Sequence, residues 1–129
     1  MKVFIVDDSI VVVERLADLL KEVPEVRLVG RAGDVLSAVR NIQRLKPDTL
    51  ILDLQMPGGS GLDVLRFVRA NYPHLQILIC TNYPYPQYRE ECLAAGANFF
   101  LDKSADFANI PAILRELVRQ ERKTSPSVP

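Results

Sequence analysis

LILDLQMPGGSGLDVL, residues 50–65, carries an apolar, strand-like run straight into Asp53 and then into a Pro-Gly-Gly turn. An acid that closes a buried strand is costly without a partner, so a plain turn residue explains this position poorly. The reading is that Asp53 stands uncovered at a sheet edge to do chemistry, with Gly58, Gly59 and Gly61 permitting the tight backbone that follows.

Working outward, similar short runs recur at Val3–Val6, Val26–Val29, Thr49–Leu52, Ile77–Cys80 and Asn98–Leu101, each of strand length and rich in β-branched or aromatic residues. Helical spacing lies between them: Val12, Leu16, Leu19, Leu20 and Val23, then Val35, Val39, Ile42 and Leu45. Ser9 and Asp34 stand where N-caps belong, Pro47 halts the second helix, and Gly96 suits a left-handed helix end. A last helix is expected over about 105–121, with Phe107, Ile110, Ile113, Leu114, Leu117 and Val118 on its apolar side. Because the strands are continuously apolar rather than alternating, both sheet faces must be covered, which means a parallel sheet with right-handed crossovers.

Bulk properties agree with one ordinary domain: 129 residues suffice for a core without staples. Sixteen basic and sixteen acidic residues cancel, which argues against a DNA-binding surface or attraction to an anionic membrane. Cys80 and Cys92 read as buried reduced thiols. No stretch approaches transmembrane length, and a cytoplasmic protein is expected.

Ligands of an open parallel α/β sheet bind outside the carboxyl ends of its strands. Those ends carry Asp7 and Asp8, Asp53, Thr81, and the pair Asp102 and Lys103. With strand order 2-1-3-4-5, strands one and three are neighbours, and three carboxylates meet. Such a group repels itself unless a cation sits within it, and a hard, oxygen-preferring ion such as Mg²⁺ fits. Alone, Lys103 reads as a solvated lysine, Thr81 as a strand-end hydroxyl bonding local backbone, and His74 as a surface histidine on the opposite edge. The joint placement of the strand-end residues is what points to a site.

VDDS, LDLQMPGGSGLDVL, CTN and GANFFLDKS, in this order and spacing, resemble the receiver domain of two-component response regulators over nearly the whole chain. The resemblance implies an α/β fold, a flavodoxin-like doubly wound five-stranded parallel sheet of order 2-1-3-4-5 flanked by five helices. It implies a receiver domain over residues 1–121, with 122–129 a disordered tail or the start of a linker. By the same resemblance Asp53 is the phosphoacceptor, Asp7 and Asp8 hold Mg²⁺ together with Asp53 and the backbone carbonyl of Gln55, Thr81 and Lys103 contact the phosphoryl group, and Phe100 is the switch aromatic. The implied donor is a sensor histidine kinase or a histidine phosphotransfer protein. Output would pass to a downstream protein target, an output domain of the same chain, or a phosphorylation-dependent homodimer, read on a face holding Tyr85, Tyr88, Phe100 and the last helix. Ser104 departs from the family, where proline in a cis bond is common after the lysine.

Two alternatives, an enzyme and a cofactor-binding carrier, fare worse. An aspartyl-phosphate phosphatase needs a second acid two positions after the nucleophile, and Gln55 occupies that position, so no turnover on a separate substrate is expected. A flavodoxin-like carrier needs a hydroxyl- and glycine-rich phosphate loop after strand one, where this chain has carboxylates.

Overall fold

The computed structural model describes residues 1–124. Five strands form one parallel sheet: β1 (Lys2–Val6), β2 (Arg27–Ala32), β3 (Thr49–Leu52), β4 (Gln76–Thr81) and β5 (Phe99–Asp102), ordered β2-β1-β3-β4-β5. This is the flavodoxin-like 2-1-3-4-5 arrangement expected from the sequence. A two-residue hairpin, Gln55–Met56 against Gly59–Ser60, follows β3.

Five helices link and cover the strands: α1 (Ile10–Leu20), α2 (Val35–Leu45), α3 (Gly61–Asn71), α4 (Pro86–Ala94) and α5 (Ile110–Thr124), the last preceded by a 3-10 turn at Phe107–Asn109. The expected caps are in place. Ser9 Oγ accepts the Val12 N–H at 3.3 Å and Asp34 Oδ1 accepts the Ser37 N–H at 2.8 Å, each satisfying a helix-start donor. Lys46 takes a left-handed conformation before Pro47 and ends α2, and Gly96 (φ 111°) turns the chain after α4. The helix α5 runs through Arg122, Lys123 and Thr124, three residues past its expected end, and starts later than position 105 because the 3-10 turn precedes it. The rest of the expected tail, 125–129, lies outside the described residues.

The sheet is buried on both faces, which is why its strands are apolar throughout. On one side Val3, Ile5, Ile51, Leu78 and Leu101 pack against Val13, Leu16 and Leu20 of α1 and Ile110, Leu114 and Leu117 of α5. On the other, Phe4, Val6, Leu50, Leu52, Ile77 and Ile79 pack against α2, α3 and Cys92 of α4. Each fully buried aliphatic side chain of this kind contributes about 1.5–3 kcal/mol. Cys80 and Cys92 are free and buried, as expected, and burial pushes their thiols up to about 12 and about 11. Among the described residues no helix is long and apolar enough to cross a membrane.

Packing is uneven along the chain. From Pro86 to Ala94 every residue of α4 is exposed except Cys92, and its N-cap Tyr85 makes no side-chain capping bond. Its far end is well held, because the Arg69 guanidinium donates to the carbonyls of Tyr72, Pro73, Leu75 and Gly96 and to Asn98 Oδ1, tying α3, the entry to β4 and the turn after α4 together.

Candidate functional site

Register alone brings the acids together. Val6 pairs with Leu52 in parallel register, so the next residues, Asp7 and Asp53, emerge side by side, and Thr81 pairs with Asp102 two strands away. Both acids are anchored through their backbones, Asp7 N–H to Ala32 O at 2.9 Å and Asp53 N–H to Val6 O at 2.8 Å. Asp7, Asp8 and Asp53 each present a carboxylate oxygen within 4.8 Å of the others.

The structure corrects one expectation here: Asp53 is 5% exposed, not open at the edge. The reason is electrostatic. Three clustered carboxylates draw in a cation, and Lys103 supplies it, its Nζ lying 2.7 Å from Asp7 Oδ2 and 3.5 Å from Asp53 Oδ2. Lys103 and Asp7 are buried with Asp53, and Asp8 is the exposed member. Asp7 has both oxygens engaged, since Oδ1 accepts the Ser9 N–H at 2.9 Å and so shapes the turn into α1.

These contacts set the protonation tendencies. Burial pushes the Asp53 carboxyl above its ordinary value; the Lys103 ammonium opposes that, the Asp7 charge adds to it, and the Gln55 N–H opposes it again. Burial by itself would lower Lys103, yet its hydrogen bond to Asp7 and the charges of Asp53 and Asp7 hold it above the ordinary lysine value. Lys103 is therefore a charged partner throughout the physiological range.

Gly61 explains how the loop after Asp53 closes. A Cβ there would sit 1.9 Å from the Asp53 carbonyl oxygen, so only glycine lets the first turn of α3 pass so near. Gly58 (φ 79°) and Gly59 (φ 142°) make the hairpin turn. Ser60 then caps α3 in a reciprocal box with Asp63. Gln55 itself is exposed on the hairpin strand.

Thr81 is fully buried at the end of β4, and its Oγ1 accepts the Tyr83 N–H at 3.0 Å, so in this state the hydroxyl does bond local backbone. Phe100 points inward, packed in the core on the α3 and α4 side, rather than on the surface face expected for it. The neighbouring tyrosines are on the surface: Tyr83, Tyr85 and Tyr88 are exposed, with successive ring centroids 6.3 and 5.7 Å apart. A groove of about 200 Å³ runs between Tyr83 and Tyr88 and the Leu54–Leu62 loop. His74 is exposed on the opposite edge, as read from the sequence.

The sequence reading missed one feature of the rim. Ile10, Val11 and Leu36, in the first turns of α1 and α2, the helices that follow β1 and β2 at the same sheet edge as the acids, are 59%, 67% and 61% exposed. Their signal was available, because Ile10 and Val11 fall outside the apolar stripe of α1.

The model of the response regulator receiver domain family matches residues 3–115. Among curated relatives, the DNA-binding transcriptional activator DevR/DosR of Mycobacterium tuberculosis is 37% identical over 103 residues, covering 80% of this chain and 48% of that protein. Response regulator GacA of Pseudomonas syringae is 28% identical over 131 residues, covering 99% of this chain and 60% of its own. The chain thus spans about half to three fifths of the length of these relatives. Among solved structures, the response regulator domain of Thermotoga maritima CheB superposes with a TM-score of 0.81 at 28% identity, covering 98% of both chains. The isolated REC domain of RcsB from Salmonella enterica serovar Typhimurium, solved in the presence of phosphomimetic BeF3-, gives a TM-score of 0.86 at 26% identity, covering 92% of this chain and 88% of that one.

Proposed function

Because the chain belongs to the response regulator receiver domain family, whose members signal by phosphorylation, we propose that Asp53 is its phosphoacceptor. The observation that carries the reading is the joint burial of Asp53 with Asp7, Thr81 and Lys103 at one sheet edge. An Asp53 carboxylate oxygen attacks phosphorus of a phosphohistidine, the P–N bond breaks, the imidazole leaves with the electron pair, and an acyl phosphate forms. Little else is asked of the protein than positioning and charge compensation. Lys103 supplies an ammonium already at the site, and the Thr81 hydroxyl, whose oxygen accepts the Tyr83 N–H, can donate its own proton to a phosphoryl oxygen.

The donor set fits Mg²⁺: three carboxylates with oxygens within 4.8 Å of one another hold, among the described residues, a single ammonium, and oxygen ligands are what this ion takes. Asp8 and Asp53, the Gln55 carbonyl, and Asp7 in support would hold it. When bound it supplies positive charge that offsets the carboxylates and the equatorial phosphoryl oxygens.

The donor in this reading is a sensor histidine kinase or histidine phosphotransfer protein, and Ile10, Val11 and Leu36 form an apolar rim on which such a protein can seat. The output is protein contact rather than nucleic-acid binding by this domain, through a target, an output domain or a second copy. In this reading no separate substrate is turned over, the action is cytoplasmic, and residues 1–121 hold the switching unit.

Incubation with acetyl phosphate and Mg²⁺, followed by mapping of the modified residue, tests the reading. A labile phosphoryl group on Asp53 is expected. Equal labelling of Asp53→Asn, with the same lability, would overturn it.

A further inference from the structure

We infer that Ser104, acting through Asp102, is the positioning residue that holds Lys103 in the acidic pocket; the inference rests on the role given to Lys103 above. The lysine sits in the middle of a closed ring of hydrogen bonds. Asp102 Oδ1 accepts both the Ser104 N–H at 2.9 Å and the Ser104 hydroxyl at 2.7 Å. Asp106 Oδ2 accepts the Asp102 N–H at 2.8 Å, and the Asp106 N–H donates to the Asp102 carbonyl at 2.8 Å. Both residues flanking Lys103 are thereby pinned, and the Lys103 N–H itself bonds the Thr81 carbonyl at 2.9 Å.

That ring does work a rigid residue would otherwise do. Lys103 must cross the ends of β4 and β3 to reach Asp7 on β1, so a small change in its backbone direction is magnified at Nζ. A free lysine stem would have to be ordered from many rotamers at each encounter. The loop uses a charge-assisted hydroxyl–carboxylate bond to set direction. The same bond, followed by the Ser104 N–H, holds the Asp102 carboxyl below its ordinary value, so this acceptor stays ionised at neutral pH. Ser104 is exposed and touches no reacting atom, so its effect passes through Lys103 alone.

The test compares the wild-type chain with Ser104→Ala, the conservative Ser104→Thr, and Asp102→Ala as a second way to open the ring. In metal-free protein the side-chain ammonium of Lys103, identified by its loss in Lys103→Met, should give a resolved nitrogen–proton NMR signal, because a buried, hydrogen-bonded ammonium exchanges slowly. Ser104→Ala and Asp102→Ala should broaden or remove that signal, and Ser104→Thr should keep it. The acetyl phosphate reaction should slow about threefold to tenfold in Ser104→Ala and recover in Ser104→Thr, on the scale that slight misplacement of a positioned group costs. An unchanged Lys103 signal in Ser104→Ala overturns the inference, as does a wild-type chain without one. Loss of the signal in a protein that never labels at Asp53 would leave the ring standing and remove the phosphoacceptor reading instead.

Discussion

In metal-free buffer, Asp53→Asn should be more stable than the wild-type chain. With an effective dielectric constant of about 20, two unit charges 4.8 Å apart, the outer limit for these oxygens, interact by about 3.5 kcal/mol, and two at the 3.5 Å separating Lys103 from Asp53 by about 4.7 kcal/mol. Asp8 is exposed, so its repulsion of Asp53 is screened to roughly 1 kcal/mol. Repulsion from Asp7 and Asp8 therefore nearly cancels the attraction to Lys103, and the burial of the carboxylate decides the sign. That burial is what raises the Asp53 carboxyl above its ordinary value. Asparagine keeps the shape without the charge, so a gain of about 1–2 kcal/mol is expected, or roughly 3–8 °C in melting temperature for a domain of this size. The pH dependence follows from the direction of the shift. An acid whose folded value is raised binds more protons folded than unfolded, so its contribution to stability falls as pH climbs from about 4 through the raised value. The advantage of the variant should thus be present at neutral pH and vanish below about pH 4. Millimolar Mg²⁺ should stabilise the wild type more than the variant and narrow the gap. Thermal melts in chelator at several pH values check this, and a variant melting below wild type at neutral pH, with an unchanged circular dichroism spectrum, would refute the reasoning.

Gly61→Ala should cost about 1–3 kcal/mol, because its methyl meets the Asp53 carbonyl, and should slow acetyl phosphate labelling as the loop shifts; urea titration and labelling rates measure both. Arg69→Met should cost about 3 kcal/mol or more, since several buried or half-buried carbonyls lose their donor, and hydrogen exchange should rise at residues 92–98 in particular. Arg69→Lys should recover little, because one ammonium cannot bridge the same set. With beryllofluoride as a phosphoryl mimic, amide NMR shifts should spread from Asp53 through Thr81 and Tyr83 into α4 and Phe100; shifts confined to the first turn around Asp53 would show that the signal leaves elsewhere.

Much of the fold and the location of the site were legible without coordinates. In a parallel sheet each strand is a short apolar run, and the residue that follows it is by construction at the ligand-binding edge. Asp7, Asp8, Asp53, Thr81 and Lys103 could therefore be placed on one edge from local sequence, as could the caps Ser9 and Asp34, whose bonds span only three residues. Helix starts were less legible: the 3-10 turn at Phe107–Asn109, which delays the start of α5, depends on loop bonds such as the Asn109 N–H to the Asp106 carbonyl at 2.9 Å.

What only the tertiary structure decided is how those side chains meet. Whether Asp53 is open or covered depends on a lysine fifty residues away reaching across the sheet, and its preference for Asp7 over Asp53 is a matter of 2.7 against 3.5 Å. The inward Phe100, the bond between Thr81 and Tyr83, and the nearly bare α4 are likewise outcomes of packing, in which neighbours distant in sequence choose among rotamers that local propensity leaves open. Sequence determined which chemistry gathers at the strand ends, because strand register is set by backbone pairing; long-range packing determined its protonation, its partners and its cover, because charge and burial act through space rather than along the chain.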